Sequence, residues 1–74
     1  MTTSEEVQAR AMDLASADAS TEQAVRELLD CCGDRRVPVV LARQHLLEGE
    51  RAGETATARA VELLDEVLER LPAT

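Results

Sequence analysis

Two neighbouring cysteines and a single histidine are the side chains of this sequence best suited to binding a metal ion. Cys31 and Cys32 are adjacent, and His45 is the only histidine in the chain. Zinc sites usually take four ligands, with cysteine pairs separated by two or more residues and joined by further cysteine or histidine. An adjacent pair with one histidine does not supply that set. The sequence therefore predicts neither a metal site nor any other cofactor.

The same residues are poorly arranged for catalysis by a thiol or an imidazole. Cys31 and Cys32 end a predicted helix, and the negative potential at a helix C-terminus raises the pKa of a thiol. His45 has Glu48 near it in the sequence, but no serine or cysteine nucleophile is placed to use it. We expect a protein that is not an enzyme and has no small-molecule substrate, with Cys32 as a small core residue.

The chain is strongly acidic. Fifteen acidic residues and eight arginines give its 74 residues a formal net charge of −7. Binding to nucleic acid or to an anionic membrane surface depends on clustered basic residues, so we expect neither partner. No apolar stretch approaches the roughly 20 residues of a membrane span, and the first residues show no basic leader. We expect a soluble cytoplasmic protein, because a reducing compartment suits a chain without a disulfide framework.

Composition and capping residues predict a helical protein. The chain has no aromatic residue, whereas alanine and leucine, both strong helix formers, are abundant. Thr3 or Ser4 can cap the first helix, and Thr3 and Ser20 stand at capping-box spacing before Glu and Gln. Gly33 is a typical helix stop, Pro38 suits the first helical position, and Pro72 would end the last helix. We predict a single all-α domain over residues 1–74, an up-and-down or orthogonal bundle with helices at about 4–17, 21–32, 38–51 and 55–71.

An acidic chain of four helices resembles an acyl carrier protein in size and charge. That family carries phosphopantetheine on a serine within an Asp-Ser-Leu motif at the start of the second helix. In this sequence Ala19 separates Asp18 from Ser20, and Thr21 takes the place of the leucine. Because the motif is broken, Ser20 is interpreted as a helix cap.

The third predicted helix is apolar on almost all sides. Val37 is expected to be extended because a proline follows it, and the helix then begins at Pro38. At about 100° per residue, the apolar residues from Val39 to Leu47 point in nearly every direction. Such a helix is either central in the bundle or covered by an additional partner.

We therefore predict a non-catalytic adaptor or regulatory module that binds protein through apolar helix faces. Leu41 and Leu63 are the predicted anchors, and Arg36 and Arg43 are the predicted orienting charges. The partner is another protein or a second copy, with a homodimer through the third or fourth helix as the favoured arrangement. The alternative is an acidic inhibitor, such as an antitoxin, an anti-activator or a phage-type protein, that covers a basic surface of an enzyme or a nucleic-acid-binding protein.

Overall fold

The computed structural model describes residues 3–33 and 35–71, which form four α-helices. No strand is present in these residues, so the all-α prediction is confirmed. None of the helices within them is long and apolar enough to cross a membrane. The predicted helix stop at Pro72 lies outside the described residues. The helices are α1 (Ser4–Ser16), α2 (Thr21–Cys32), α3 (Arg36–Glu48) and α4 (Thr55–Arg70).

Hydrogen bonds at the helix ends confirm the predicted caps of α1 and α2. The Oγ1 atom of Thr3 accepts from the backbone N–H of Glu6 at 3.2 Å, and the Oγ atom of Ser20 accepts from the N–H of Gln23 at 3.2 Å. Each bond satisfies an N–H group without an acceptor inside its helix, which typically stabilises a helix by about 1 kcal/mol. Gly33 closes α2 in the left-handed conformation, with φ at 57°.

A Schellman turn ends α1, and it depends on an aspartate in the left-handed region. Asp18 has φ at 61°. Its N–H donates to the carbonyl of Ala15 at 3.3 Å, and the N–H of Ala19 donates to the carbonyl of Leu14 at 3.2 Å. These are the two bonds of the motif. Aspartate is one of the few residues other than glycine that adopts this conformation, so the chain can reverse between α1 and α2 without a glycine.

The predicted start of α3 is wrong. The helix begins at Arg36, so Val37 is helical rather than extended, and Pro38 is the third residue of the helix rather than the first. Proline fits this position because the N–H groups of a first helical turn have no acceptor inside the helix. Because the helix starts earlier, Val37 belongs to α3 and follows its helical spacing.

The predicted end of α3 is three residues too late. The helix ends at Glu48, and Gly49 is extended with ψ at 166°. A Cβ atom at Gly49 would lie 3.0 Å from the carbonyl oxygen of His45, so a residue with a side chain would crowd the last turn. The glycine thus lets the chain leave the helix here. The ends of α1 and α4 differ from their predicted positions by a single residue, which is within the usual uncertainty of helix ends.

Buried alanines allow the four helices to approach one another closely. Each helix contributes one alanine without exposed surface, and small side chains at a contact shorten the distance between helix axes. α1 packs against both α3 and α4, and α2 packs against α1 and α4, whereas α2 and α3 scarcely meet. The α1–α4 pair is therefore central, and α2 and α3 cover different sides of it. The four alanines are Ala11, Ala24, Ala42 and Ala60.

Leucine, valine, alanine and one cysteine fill the interior. Leu28, Leu63 and Leu64 are its largest side chains without exposed surface. Cys32 is 1% exposed, which confirms its prediction as a core residue. With no aromatic ring in the chain, each buried leucine supplies a large share of the apolar contact.

We predict that Leu64→Ala destabilises the domain severely. Leu64 is fully buried, and removal of a buried leucine side chain costs about 2–5 kcal/mol through lost apolar transfer and the cavity left behind. Chemical denaturation followed by circular dichroism measures the effect. Leu47→Ala is the matched control, because Leu47 is 49% exposed and should change stability little. Equal denaturation midpoints for the two variants would contradict this assignment of the core.

Candidate functional site

The large apolar residues that remain exposed lie on a single helix. Val37, Val40, Leu41 and Leu47 have exposed fractions of 64, 42, 41 and 49%. Within the described part of the chain these are the exposed large hydrophobic residues, and all four belong to α3. We call them the α3 stripe. A cluster of exposed apolar residues is a more informative feature than a solitary one, because such patches mark interaction surfaces.

Helix geometry explains why this side of α3 is open. The inward side of the helix carries its four buried residues, and at about 3.6 residues per turn the α3 stripe falls on the opposite side. Both helices that pack closely against α3, α1 and α4, contact the inward side. α3 is therefore a peripheral helix with one uncovered apolar face, and not the centre of the bundle. The inward residues are Pro38, Val39, Ala42 and Leu46.

The two arginines predicted to orient a partner contact α4 of the same chain. The Nε atom of Arg43 lies 2.5 Å from a carboxylate oxygen of Asp65, and Arg36 donates to the carbonyl of Leu68 at 3.2 Å. Both contacts are exposed to solvent, and an exposed ion pair usually contributes about 0–1 kcal/mol. The two contacts join one edge of α3 to α4. Both guanidinium groups remain accessible to a partner.

Leu63 does not belong to this surface, and its prediction as an exposed anchor is corrected. It has no exposed surface and lies in the core beside Leu64. The physical reason is the central position of α4, which is packed against α1, α2 and α3 and so has its wide apolar arc covered. The candidate surface keeps Leu41 and the two arginines from the prediction and gains the rest of the α3 stripe.

Sequence reasoning did not name Val40, Leu47 or Val37 as anchors, and Val37 is the one that it placed outside the helix. It was expected to be extended outside the helix, whereas α3 includes it and 64% of its surface is exposed. The signal that finds it is the spacing of Val37, Val40 and Leu41 at i, i+3 and i+4, which places three β-branched or leucine side chains on one helical side. That signal is visible only when the helix is started upstream of its proline.

A groove runs along the opposite edge of α3, where α1 adjoins it. The groove has a volume of about 440 Å³ and is lined by Glu5, Gln8, Ala9, Met12 and His45. A neighbouring cavity of about 300 Å³ continues from His45 to the α3–α4 loop and to Thr57. We call the two together the α1–α3 groove. It places the only histidine next to α1, but its lining includes neither a cysteine nor a serine.

Thr57 places an unsatisfied hydroxyl at the inner end of this groove. The residue is 1% exposed, and its buried Oγ1 atom has no hydrogen-bond partner. The first turn of α4 also lacks a side-chain cap, because the carboxylate of Glu54 lies 2.5 Å from the Nε atom of Arg51 instead. A buried hydroxyl without a partner costs about 1–3 kcal/mol.

The cysteines and the histidine lie in different places. Cys31 is half-buried at the end of α2, near Arg10, and the Sγ atom of Cys32 donates to the carbonyl of Leu29 at 3.6 Å. His45 is exposed on α3. Across residues 3–33 and 35–71, no three His, Cys, Asp or Glu side chains are grouped so that they could hold a metal ion.

We predict that replacement of Thr57 by valine stabilises the protein. The substitution exchanges an unsatisfied hydroxyl for a methyl group of similar shape, so the free energy of unfolding should rise by about 1 kcal/mol. Urea denaturation of Thr57→Val and wild type measures the difference. Thr55→Val, at the exposed first residue of α4, is the control and should stay within about 0.5 kcal/mol. A loss of stability in Thr57→Val would show that the hydroxyl is hydrogen-bonded in solution.

We predict that Cys31 reacts slowly with alkylating reagents near neutral pH. Burial raises the pKa of the Cys31 thiol, and Glu6 and Cys32 add to the increase, while the positive charge of Arg10 opposes it. A raised pKa lowers the thiolate fraction, so the rate should keep rising with pH beyond the point where an unstructured cysteine has levelled off.

Iodoacetamide labelling at about pH 8, quantified by mass spectrometry, tests this thiol chemistry against a peptide that contains the same cysteine. Glu6→Gln should speed the labelling of Cys31 and Arg10→Gln should slow it, because they remove charges of opposite sign. Changes in the reverse order would contradict the electrostatic assignment.

Comparison of the chain with protein-family models, with curated proteins and with solved structures found no match in any of the three. Functional inference for this protein therefore depends on its own surface and charge. Among its described residues, the α3 stripe is the feature that departs most from an ordinary polar surface.

Proposed function

We propose that this protein is a non-catalytic interaction module that binds protein through the α3 stripe, in an adaptor or regulatory role. The observation that carries the proposal is the confinement of Val37, Val40, Leu41 and Leu47 to the outward side of one helix. A helix in a globular domain normally presents charged and polar residues on that side. The proposal includes a cytoplasmic location, which agrees with a chain whose stability is not built on disulfides.

The strength of the interaction follows from the area that the stripe offers. Full burial of a valine or leucine side chain contributes about 1.5–3 kcal/mol. Since each stripe residue is already about half-buried, covering all four contributes on the order of 3–6 kcal/mol. Association itself costs about 4–15 kcal/mol. The stripe alone therefore supports a transient contact, and a tight one needs additional polar contacts around it.

The polar rim of the stripe can supply such contacts. Arg36 and Arg43 border it on the α4 side. Gln44 and Glu48 lie between the stripe residues on the outward side of α3, where the Nε2 atom of Gln44 donates to the carboxylate of Glu48 at 3.4 Å. Polar and charged groups beside apolar residues are usual in a protein interface. The partner is another protein or a second copy of the chain.

An acidic inhibitor is the second candidate function, and a row of acids on α4 favours it. Asp65 adjoins α3 through Arg43, and Glu62 and Glu69 lie three residues before and four residues after it on the same side of α4. All three are exposed. Together with the net charge of −7, this row would steer the protein towards a basic surface of an enzyme or a nucleic-acid-binding protein.

We predict that capture of a partner from an extract of the source cells depends on Leu47. Leu47→Glu puts a charge on the stripe, whereas Gln23→Glu adds the same charge at an exposed position of α2. Immobilised wild type and Gln23→Glu should both capture a partner, which is either another protein or free copies of this chain. Immobilised Leu47→Glu should not capture it. Retention that is equal for all three proteins would contradict binding through the α3 stripe.

Salt separates the two candidate functions. Hydrophobic docking should persist at high ionic strength, whereas binding through the acidic row should weaken steeply. Glu62→Gln with Glu69→Gln should release the partner of an inhibitor and retain the partner of the stripe. If the double variant loses its partner and Leu47→Glu retains it, the inhibitor is the correct function.

A further inference from the structure

We propose that the α3 stripe is covered by a second copy of this chain, with the two α3 helices packed antiparallel about a two-fold axis. The inference rests on the proposed function and names the partner of that surface. It is carried by the distribution of charge along and around α3, together with the position of the stripe residues on the helix.

The distribution of charge along the chain favours some contacts between two copies over others. Two chains of −7 repel each other, and the repulsion is smallest where acidic residues are fewest. Residues 34–52 contain four arginines and three acids, whereas residues 1–33 contain seven acids and two arginines, and residues 53–74 contain five acids and two arginines. The segment that contains α3 is thus slightly basic. The helix with the exposed apolar face thus belongs to the least acidic segment of the chain, and its own charges add least to the repulsion between two copies.

The charges at the two ends of α3 then determine the orientation. Arg35 and Arg36 stand at its start, Glu48 and Glu50 at and just beyond its end, and all four are exposed. Antiparallel packing brings the basic end of one helix to the acidic end of the other, while parallel packing brings like charges together. Opposed helix dipoles favour the same arrangement. The charge pattern of α3 is therefore complementary to itself in the antiparallel orientation.

The stripe is complementary to itself in this orientation as well. With the two-fold axis at the level of Ala42, Val37 of one copy lies level with Leu47 of the other, and Val40 lies level with Gln44. Valine of one copy thus lies level with leucine of the other at both ends of the contact, and the two ends are equivalent, as a two-fold axis requires. Leu41 lies beside the axis and meets its own equivalent.

The size of the contact indicates a reversible dimer. A helix of 13 residues is about 20 Å long. A standard stable interface covers about 800 Å² on each partner, which is about a sixth of the 4681 Å² of surface on this chain. One helix face with its borders covers less than that. Monomer and dimer should therefore interconvert as the concentration changes.

Light scattering or sedimentation equilibrium of the wild-type chain, from about 10 µM to about 1 mM, tests for the dimer. The average mass should rise from 8.0 kDa towards twice that value. Leu47→Glu should hold the mass near that of the monomer, and Gln23→Glu, which adds the same charge on α2, should behave as wild type. A wild-type mass that stays at 8.0 kDa throughout this range overturns the proposal. Capture of a different protein that still depends on Leu47 would then leave the proposed function standing.

Cysteine cross-linking tests the orientation. Val37→Cys and Leu47→Cys are each introduced into a Cys31→Ser variant. Both replaced residues are exposed, so the variants should fold normally, and circular dichroism checks this. The antiparallel pair predicts that a mixture of the two variants forms the mixed disulfide in preference to either symmetric one, because equivalent residues lie about 15 Å apart along the axis. Preferential formation of the two symmetric disulfides would show parallel packing and overturn the proposed arrangement.

Discussion

The bundle depends on close packing around a central pair of helices whose buried side chains are all small or of medium size. With no aromatic residue in the chain, α1 and α4 pack against each other with buried leucine and valine, and each carries one fully buried alanine, Ala11 and Ala60. A chain of this length buries only about 60% of the surface that it exposes when unfolded. Two further helices cover the central pair, and within residues 3–33 and 35–71 no other helix covers the outward sides of those two.

That constraint affects α2 and α3 differently. The uncovered side of α2 carries charged and polar residues such as Glu22, Gln23 and Arg26, so the helix meets solvent without cost. The uncovered side of α3 carries three of its apolar residues within two turns, Val37, Val40 and Leu41. α3 thus has the less polar outward face of the two helices, and it lies in the least acidic segment of an acidic protein. This coincidence supports the proposed interaction role.

The cysteines, the histidine and the buried threonine are not part of the α3 stripe. Cys32 is a buried core residue, burial raises the pKa of Cys31, and His45 faces the α1–α3 groove, which has no cysteine or serine in its lining. Thr57 keeps a hydroxyl without a partner where the first turn of α4 lacks a cap. Each of these features has a consequence for stability or reactivity, and the described residues contain no group of three His, Cys, Asp or Glu side chains that could hold a metal ion.

The sequence by itself determined the helical class, the four segments and the caps at Thr3, Ser20 and Gly33, because these depend on residues only a few positions apart. It also identified α3 as too apolar for an ordinary surface helix. It could not determine which apolar residues are covered. Leu41 and Leu63 both lie on apolar arcs, yet one is 41% exposed and the other is fully buried. The tertiary structure decided between them by placing α4 at the centre and α3 at the edge, since burial depends on which helices pack together and not on the pattern within one helix.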